Sequence, residues 1–465
     1  MKKPSIQKLL IANRGEIAVR IIRAARDLGI ATVVVHSDAD TESRAVQMAD
    51  EAVNIGPPQA AKSYLSIDAI LKAAKETGAD AVHPGYGFLA ENADFADAVA
   101  AAGLLFVGPD GDTIRLMGDK AAARSEAKKA NVPTVPGSDG IIEDMNVAVK
   151  IAEKIGFPVM IKAVAGGGGR GIRVAHDTDQ FRKLAPQASS EAAATFGDGG
   201  VYIEKVIERA RHIEVQILGD GENVVHFFER ECSLQRRRQK VWEEAPSVAL
   251  DDRARDELYR SAVALAKAVH YKGAGTIEYL YDDETGNFYF IEMNTRIQVE
   301  HPVTEMICNF DLVAEMILIA GGTKMRVTQE TIRRTGHAIE VRLNAEDPAN
   351  NFMPFPGIVG NLLTPDGPGV RFDHMLYPGY AVPPFYDSLL GKLIVWAEDR
   401  DRALLRLKRT LGELYIEGLP TTAPLFQALL ESEELQQNAV HTRWLEPWLE
   451  NNLDLIKQKG AQTHE

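Results

Sequence analysis

Short aliphatic runs alternate with stretches of helical spacing along the N-terminal part of the chain. Leu9-Leu10-Ile11-Ala12 is an apolar run that stops at the turn Asn13-Arg14-Gly15. Apolar residues then recur as Ile17, Ile21, Ala24, Ala25 and Leu28, the spacing of a helix with one buried face. Gly29 closes that helix, and Ala31 to Val35 is a β-branched strand. The alternation continues through Ala79–Val82 and Leu104–Val107. A βαβ series of this kind predicts a parallel sheet covered by helices. It is not a dinucleotide fingerprint, because Asn13-Arg14-Gly15-Glu16-Ile17-Ala18 has a single glycine at the first turn.

From about Ile114 to Gly321 the patterning changes. The stretch from Phe157 reads as a buried strand that ends in Lys162, and Gly166-Gly167-Gly168-Gly169 follows before β-rich sequence resumes. Phe288 to Glu300 alternates with period two: Ile291, Met293, Thr295, Ile297 and Val299 on one side, Glu292, Asn294, Arg296, Gln298 and Glu300 on the other. An extended conformation is expected throughout that segment. A third region begins near Gly336, with short strand-like pieces divided by prolines and glycines, then a helix around Arg402 to Leu414. The final residues, rich in Gln, Lys and Gly, are expected to fray.

Composition narrows the function. The chain has 465 residues, 52 basic and 66 acidic, a net charge of -14, and two cysteines, Cys232 and Cys308. That balance argues against a nucleic-acid binder, which needs a basic face. Two cysteines make no disulfide framework. No apolar run approaches the ~20 residues of a membrane span. A soluble, cytoplasmic, multidomain protein is expected, with its positive charge concentrated wherever it meets anions.

Three places concentrate the chemistry. A glycine run after a lysine-bearing strand lets backbone N–H groups wrap an anion, as a phosphate lid would. Glu278, Glu292 and Asn294 offer oxygen ligands of the kind Mg²⁺ prefers, on two strands able to pair. Glu231 to Lys240, the densest basic run, suits charge developing on a transferring phosphoryl group.

Together, Ile11 to Ala18, His83-Pro84-Gly85-Tyr86-Gly87-Phe88-Leu89, the glycine run, and Glu292 to Glu300 followed by His301-Pro302 resemble the biotin carboxylase family. The resemblance implies an α/β and α+β multidomain fold. Its parts would be a Rossmann-like pre-ATP-grasp domain (1–118), an ATP-grasp domain (119–325), a C-terminal β-rich biotin carboxylase domain (326–452) and a frayed tail (453–465). It implies that Lys120, Lys162, Gly168, Gly169 and Arg238 hold the nucleotide phosphates. Glu204, Lys205, Val206 and Ile207 would meet the adenine, with Glu204 and His212 near the sugar. Glu278 and Glu292 would take ATP-bound Mg²⁺ or Mn²⁺, with Asn294 on a second ion. Lys240, Arg296, Gln298, Val299 and Glu300 would bind bicarbonate, with Glu300 as general base. Arg342 would stabilise the biotin oxyanion beside Tyr86. Arg238 departs from the family, which more often has His or Asn there.

The implied reaction is ATP- and bicarbonate-dependent carboxylation of biotin through carboxyphosphate, the first half-reaction of an acetyl-CoA or other acyl-CoA carboxylase. No biotin-acceptor Met-Lys-Met occurs in the sequence. Biotin would therefore arrive on a separate carboxyl carrier protein, with carboxyltransferase subunits completing the reaction. The resemblance also implies a homodimer, with Arg23 and Asp27 facing the partner. The competing readings are another ATP-grasp ligase joining a carboxylate to an amine, and a nucleotide-binding homologue without turnover.

Overall fold

The computed structural model describes residues 5–138, 142, 144–163, 172–196 and 201–462. Strands β1 (Lys8–Ile11), β2 (Ala31–His36), β3 (Glu51–Asn54), β4 (Ala81–His83) and β5 (Leu105–Phe106) form a parallel sheet in the order β3-β2-β1-β4-β5. Successive side chains of a strand point to opposite faces, so β1 feeds two cores. Leu9 and Ile11 pack with Ile17 and Ile21 of helix α1 (Gly15–Asp27) and with Leu312 and Ile317. Leu10 and Ala12 pack with Val33, Tyr64 and Ile70 on the other face.

Strands β6 (Val159–Ala163), β7 (Ile172–Ala175) and β8 (Val201–Lys205) make a small antiparallel sheet in the order β7-β6-β8. Val159, Ile161 and Ile203 pack there against Val149 and Phe181 of the helices Met145–Ile155 and Thr178–Phe196. Gly168 and Gly169, expected in a lid over phosphate, lie outside the described residues.

The largest sheet has eight strands: β9 (Ala210–Asp220), β10 (Val224–Arg236), β11 (Gln239–Ala245), β12 (Lys272–Asp282), β13 (Phe288–Asn294), β14 (His337–Asn344), β15 (Val370–His374) and β16 (Leu389–Ala397). Their order is β13-β12-β9-β10-β11-β14-β16-β15, all neighbours antiparallel. The pairing of β11 with β14, Trp242 opposite Val341 and Glu243 opposite Glu340, carries the sheet unbroken into the C-terminal region. No described helix is long and apolar enough to cross a membrane.

Two expectations need correction. The extended segment 288–300 stops at Asn294. Residues 295–300 leave the strand and turn into the helix His301–Cys308, whose first turn contains Pro302, a residue suited to helix starts. Ile297 is buried in the core shared with α1, which fixes the path of this loop. The tail does not fray over its first ten residues. Leu453–Gln462 is a helix, and Ile456 enters the core beside Leu425 and Phe426. Its sparse apolar residues are enough to dock it, despite the polar composition around them.

Candidate active site

Strands β11 to β14 and the loop 295–300 bring charged side chains to a cavity of about 1060 Å³, bordered by Tyr86 from the N-terminal region. Lys240 is its centre. The ammonium donates to Glu214 at 2.6 Å, Glu278 at 2.8 Å and Glu300 at 2.7 Å. Burial disfavours this cation, but Glu214, Glu300 and Glu278 outweigh it and hold its pKa well above the usual lysine range. Burial likewise pushes the Glu300 carboxyl up. Lys240, helped by Arg342, overrides that and keeps Glu300 below the ordinary carboxylate range, hence ionised.

Arg342 holds the other side of Glu300. Its guanidinium donates to Glu243 Oε1 at 2.6 Å and to Glu300 Oε2 at 3.0 Å. Burial raises the Glu243 carboxyl to about 7, against the pull of Arg342 and with a further push from Glu300. Glu278 accepts from Lys240, from Asn294 Nδ2 at 2.9 Å and from Gln298 Nε2 at 2.7 Å. Burial opposes its ionisation, but Lys240 and His212 prevail and hold its pKa well below the usual range.

Arg230 lies beneath, fully buried. It donates to Glu214 at 2.6 Å, Gln216 at 2.7 Å, and Thr304, Thr276 and Gln298 at 3.0 Å. An unpaired buried guanidinium costs several kcal/mol, roughly 3–5 when a partner is removed. Five matched acceptors remove that penalty and fix the Gln298 side chain from below.

Glu292 sits directly cross-strand from Glu278. Burial, then Glu278, pushes its carboxyl up, while Lys120 Nζ stands 3.9 Å away. Two facing carboxylates, one raised by the other, fit a divalent cation by charge and by oxygen chemistry. Asn294 is more committed, since its Oδ1 accepts from Arg296 at 2.9 Å. Arg296 also reaches Glu91 at 2.8 Å.

His212 was expected near a sugar. The structure puts its Nε2 3.1 Å from Glu278 Oε2 and 3.6 Å from Glu214 Oε2. Burial lowers the imidazole pKa, yet Glu278 more than compensates and lifts it to about 9.

The remaining nucleotide candidates cluster on the small sheet. Lys162 and Arg124 both pair with the Glu204 carboxylate, Arg124 at 2.8 Å. Lys205 Nζ donates to the Gly156 and Phe157 carbonyls at 2.9 and 2.8 Å, and the Val206 amide to Pro158 O at 3.0 Å. Val206 and Ile207 are buried. Arg238 lines the large cavity from the two-residue turn joining β10 to β11. Arg237 and Arg238 have φ of +47° and +66° there, a geometry that ordinarily selects Asn-Gly. Tyr86 is presented by a loop wrapped on Asn13, whose Nδ2 donates to Pro84 O at 2.7 Å and Tyr86 O at 2.8 Å. Gly85 is required in that loop, because its φ is +64° and a Cβ would meet Asn13 Nδ2 at 2.7 Å.

Similarity to known proteins settles which family builds a site of this geometry. The family model "Biotin carboxylase, N-terminal domain" matches residues 5–114, "Carbamoyl-phosphate synthase L chain, ATP binding domain" 119–328 and "Biotin carboxylase C-terminal domain" 340–447. A biotin carboxylase of Nostoc sp. is 54% identical over 440 residues, covering 94% of this chain and 98% of that protein. The chain belongs to the biotin carboxylase family. As a biotin carboxylase it is an ATP-dependent ligase of the ATP-grasp type, the carboxylating component of a biotin-dependent carboxylase. A pyruvate carboxylase subunit of Methanothermobacter thermautotrophicus is 48% identical over 442 residues, 95% of this chain and 90% of that protein. The biotin carboxylase domain dimer of Hydrogenobacter thermophilus 2-oxoglutarate carboxylase, solved with MgADP, ADP and bicarbonate, matches with a TM-score of 0.85 at 46% identity. It covers 97% of this chain and 98% of that chain.

The sequence reading of this biotin carboxylase site missed Glu214, Arg230, Glu243 and Glu91, all of which contact residues it had chosen. A signal existed for the first: Ile213-Glu214-Val215-Gln216-Ile217 alternates strictly, so Glu214 and Gln216 share one face. Arg230 lies opposite Glu214 in register on β10, which only the strand pairing reveals.

Proposed function

We propose that this biotin carboxylase uses ATP and bicarbonate to carboxylate biotin carried by a separate protein, through carboxyphosphate, in an acetyl-CoA carboxylase. The observation that carries the reading is Glu300, an ionised carboxylate held between Lys240 and Arg342 on the wall of the large cavity. In this account bicarbonate binds among Lys240, Arg296, Gln298 and the Val299 backbone. Glu300 takes its proton as its oxygen attacks the γ-phosphoryl group, which turns a weak nucleophile into a stronger one. Lys120, Lys162, Arg238 and the glycine run hold the polyphosphate, and segment 204–207 meets the adenine. Glu278 and Glu292 would hold Mg²⁺, with Asn294 on a second ion. Such ions, when bound, offset polyphosphate charge. Arg342 then favours negative charge on the ureido oxygen of biotin beside Tyr86.

Bicarbonate-dependent ADP formation, measured with and without free biotin, tests this reading. Stimulation by biotin is expected, and an amine-dependent, bicarbonate-independent turnover would replace the reading with a carboxylate–amine ligase. Acetyl-CoA is proposed as the final acceptor, with the carrier and carboxyltransferase supplied by other subunits. The likeness to a pyruvate carboxylase component makes pyruvate the competing acceptor. Reconstitution with the transferase subunits of the same cell, read as malonyl-CoA or oxaloacetate, separates the two. A homodimer is proposed with α1 at its interface, where Asp27 is exposed and Arg23, 4.0 Å from Asp373, is partly so.

A further inference from the structure

Two successive peptide carbonyls of the loop that carries Glu300 turn inward, and each is taken by a fully buried side chain. His301 Nδ1 lies 2.7 Å from Gln298 O, and Lys392 Nζ donates to Val299 O at 2.7 Å. Burial, reinforced by Lys392, Arg20 and Arg371, holds His301 well below the usual imidazole range, so it stays neutral and donates from Nδ1. Lys392 reaches in from β16 opposite Arg342. Its counterion is Glu16, buried in the first turn of α1, at 3.1 Å. The same Glu16 oxygen accepts the hydroxyl of Tyr86, which lines the cavity. A continuous chain, Tyr86–Glu16–Lys392–Val299 O, thus joins one cavity wall to the peptide that precedes Glu300.

A buried ion pair is a poor device for stability alone, since aliphatic residues of similar volume serve as well or better. On the same strand as Lys392, Leu390, Leu393 and Val395 fill a hydrophobic core. We propose that Lys392 is a positioning residue: with Glu16 it sets the Val299–Glu300 peptide against the Tyr86 wall, so that the base and the biotin-facing surface keep one register. The inference rests on the biotin carboxylation reading. Lys392 itself touches no reacting atom.

The test uses the whole enzyme as Lys392→Met/Glu16→Gln, which removes both members of the pair together, beside Lys392→Arg. Hydrogen exchange of the amides in 296–301 reads the clamp without turnover. Faster exchange is expected in the double variant, with recovery in Lys392→Arg. The kcat for bicarbonate-dependent ATP cleavage should fall about 100-fold, the usual cost of roughly 1 Å of misplacement, with KM for ATP little changed. A lower unfolding temperature with unchanged kcat and unchanged exchange is what a merely structural pair gives, and overturns the proposal. If exchange rises but the wild-type enzyme shows no bicarbonate-dependent turnover, the clamp stands and the functional reading fails instead.

Discussion

The Lys240 ammonium lies 2.7 Å from Glu300 Oε1, in a pocket where the Glu300 side chain is 2% exposed. A cation that close keeps a buried carboxylate ionised, at some cost to its basicity. Bicarbonate entering beside Lys240 would share that cation and free Glu300 to accept a proton. Glu300→Gln keeps the side chain's shape but removes the proposed base, and its NH2 replaces one of the two oxygens that accept from Lys240 and Arg342. Bicarbonate-dependent ATP cleavage is expected to fall by about 10²–10⁴-fold, while ATP binding measured by calorimetry stays near wild type. Full activity in this variant would contradict the assignment of the base.

The role proposed for Arg342 would separate the two halves of the reaction. Arg342→Ala is expected to lower biotin carboxylation by about 10²–10³-fold, the range for losing one donor to a developing oxyanion. Bicarbonate-dependent ATP cleavage without biotin should fall less, because Lys240 still holds Glu300. Equal losses in both assays would mean that Arg342 acts through Glu300 alone.

Arg230 is a stability prediction. Arg230→Met leaves Glu214 Oε1, Gln216 Oε1 and Gln298 Oε1 without the Arg230 donor, although Lys240 still holds Glu214 Oε2, and the cost is expected at roughly 3–5 kcal/mol. Thermal unfolding should show a clear drop in midpoint, and a shift within error would mean that water or Lys240 fully replaces the guanidinium.

Glu243 gives a pH dependence. Its folded-state pKa is raised from 4.5 to about 7, so the folded protein keeps a proton that the unfolded chain releases. Its contribution therefore falls as pH rises from 4.5 to about 7. Glu243→Gln should remove that decline, which unfolding midpoints across this pH range will show. An identical pH slope in both proteins would place the proton elsewhere.

Much of this was legible in the residues. The βαβ pattern of residues 9–107 became a parallel sheet, and Leu9/Leu10 already encoded its two faces. The cross-strand placement of Glu278 and Glu292 followed from two alternating segments. Periodicity failed where backbone direction changes. It carried the strand past Asn294, although Gln298 and Glu300 reach the cavity from a loop anchored by Ile297. Partners distant in sequence were equally invisible. Glu16 and Lys392 are separated by most of the chain, and only the docking of α1 against the C-terminal sheet brings them within 3.1 Å.

The most direct test of the central claim is transfer of label from bicarbonate to biotin. The purified enzyme would be given ATP, Mg²⁺, labelled bicarbonate and the biotinylated carrier from the same cell. The account predicts label on the carrier's biotin, matched one-for-one by ADP and lost in Glu300→Gln. ADP formation with no label on biotin, or label transfer undiminished in Glu300→Gln, would contradict it.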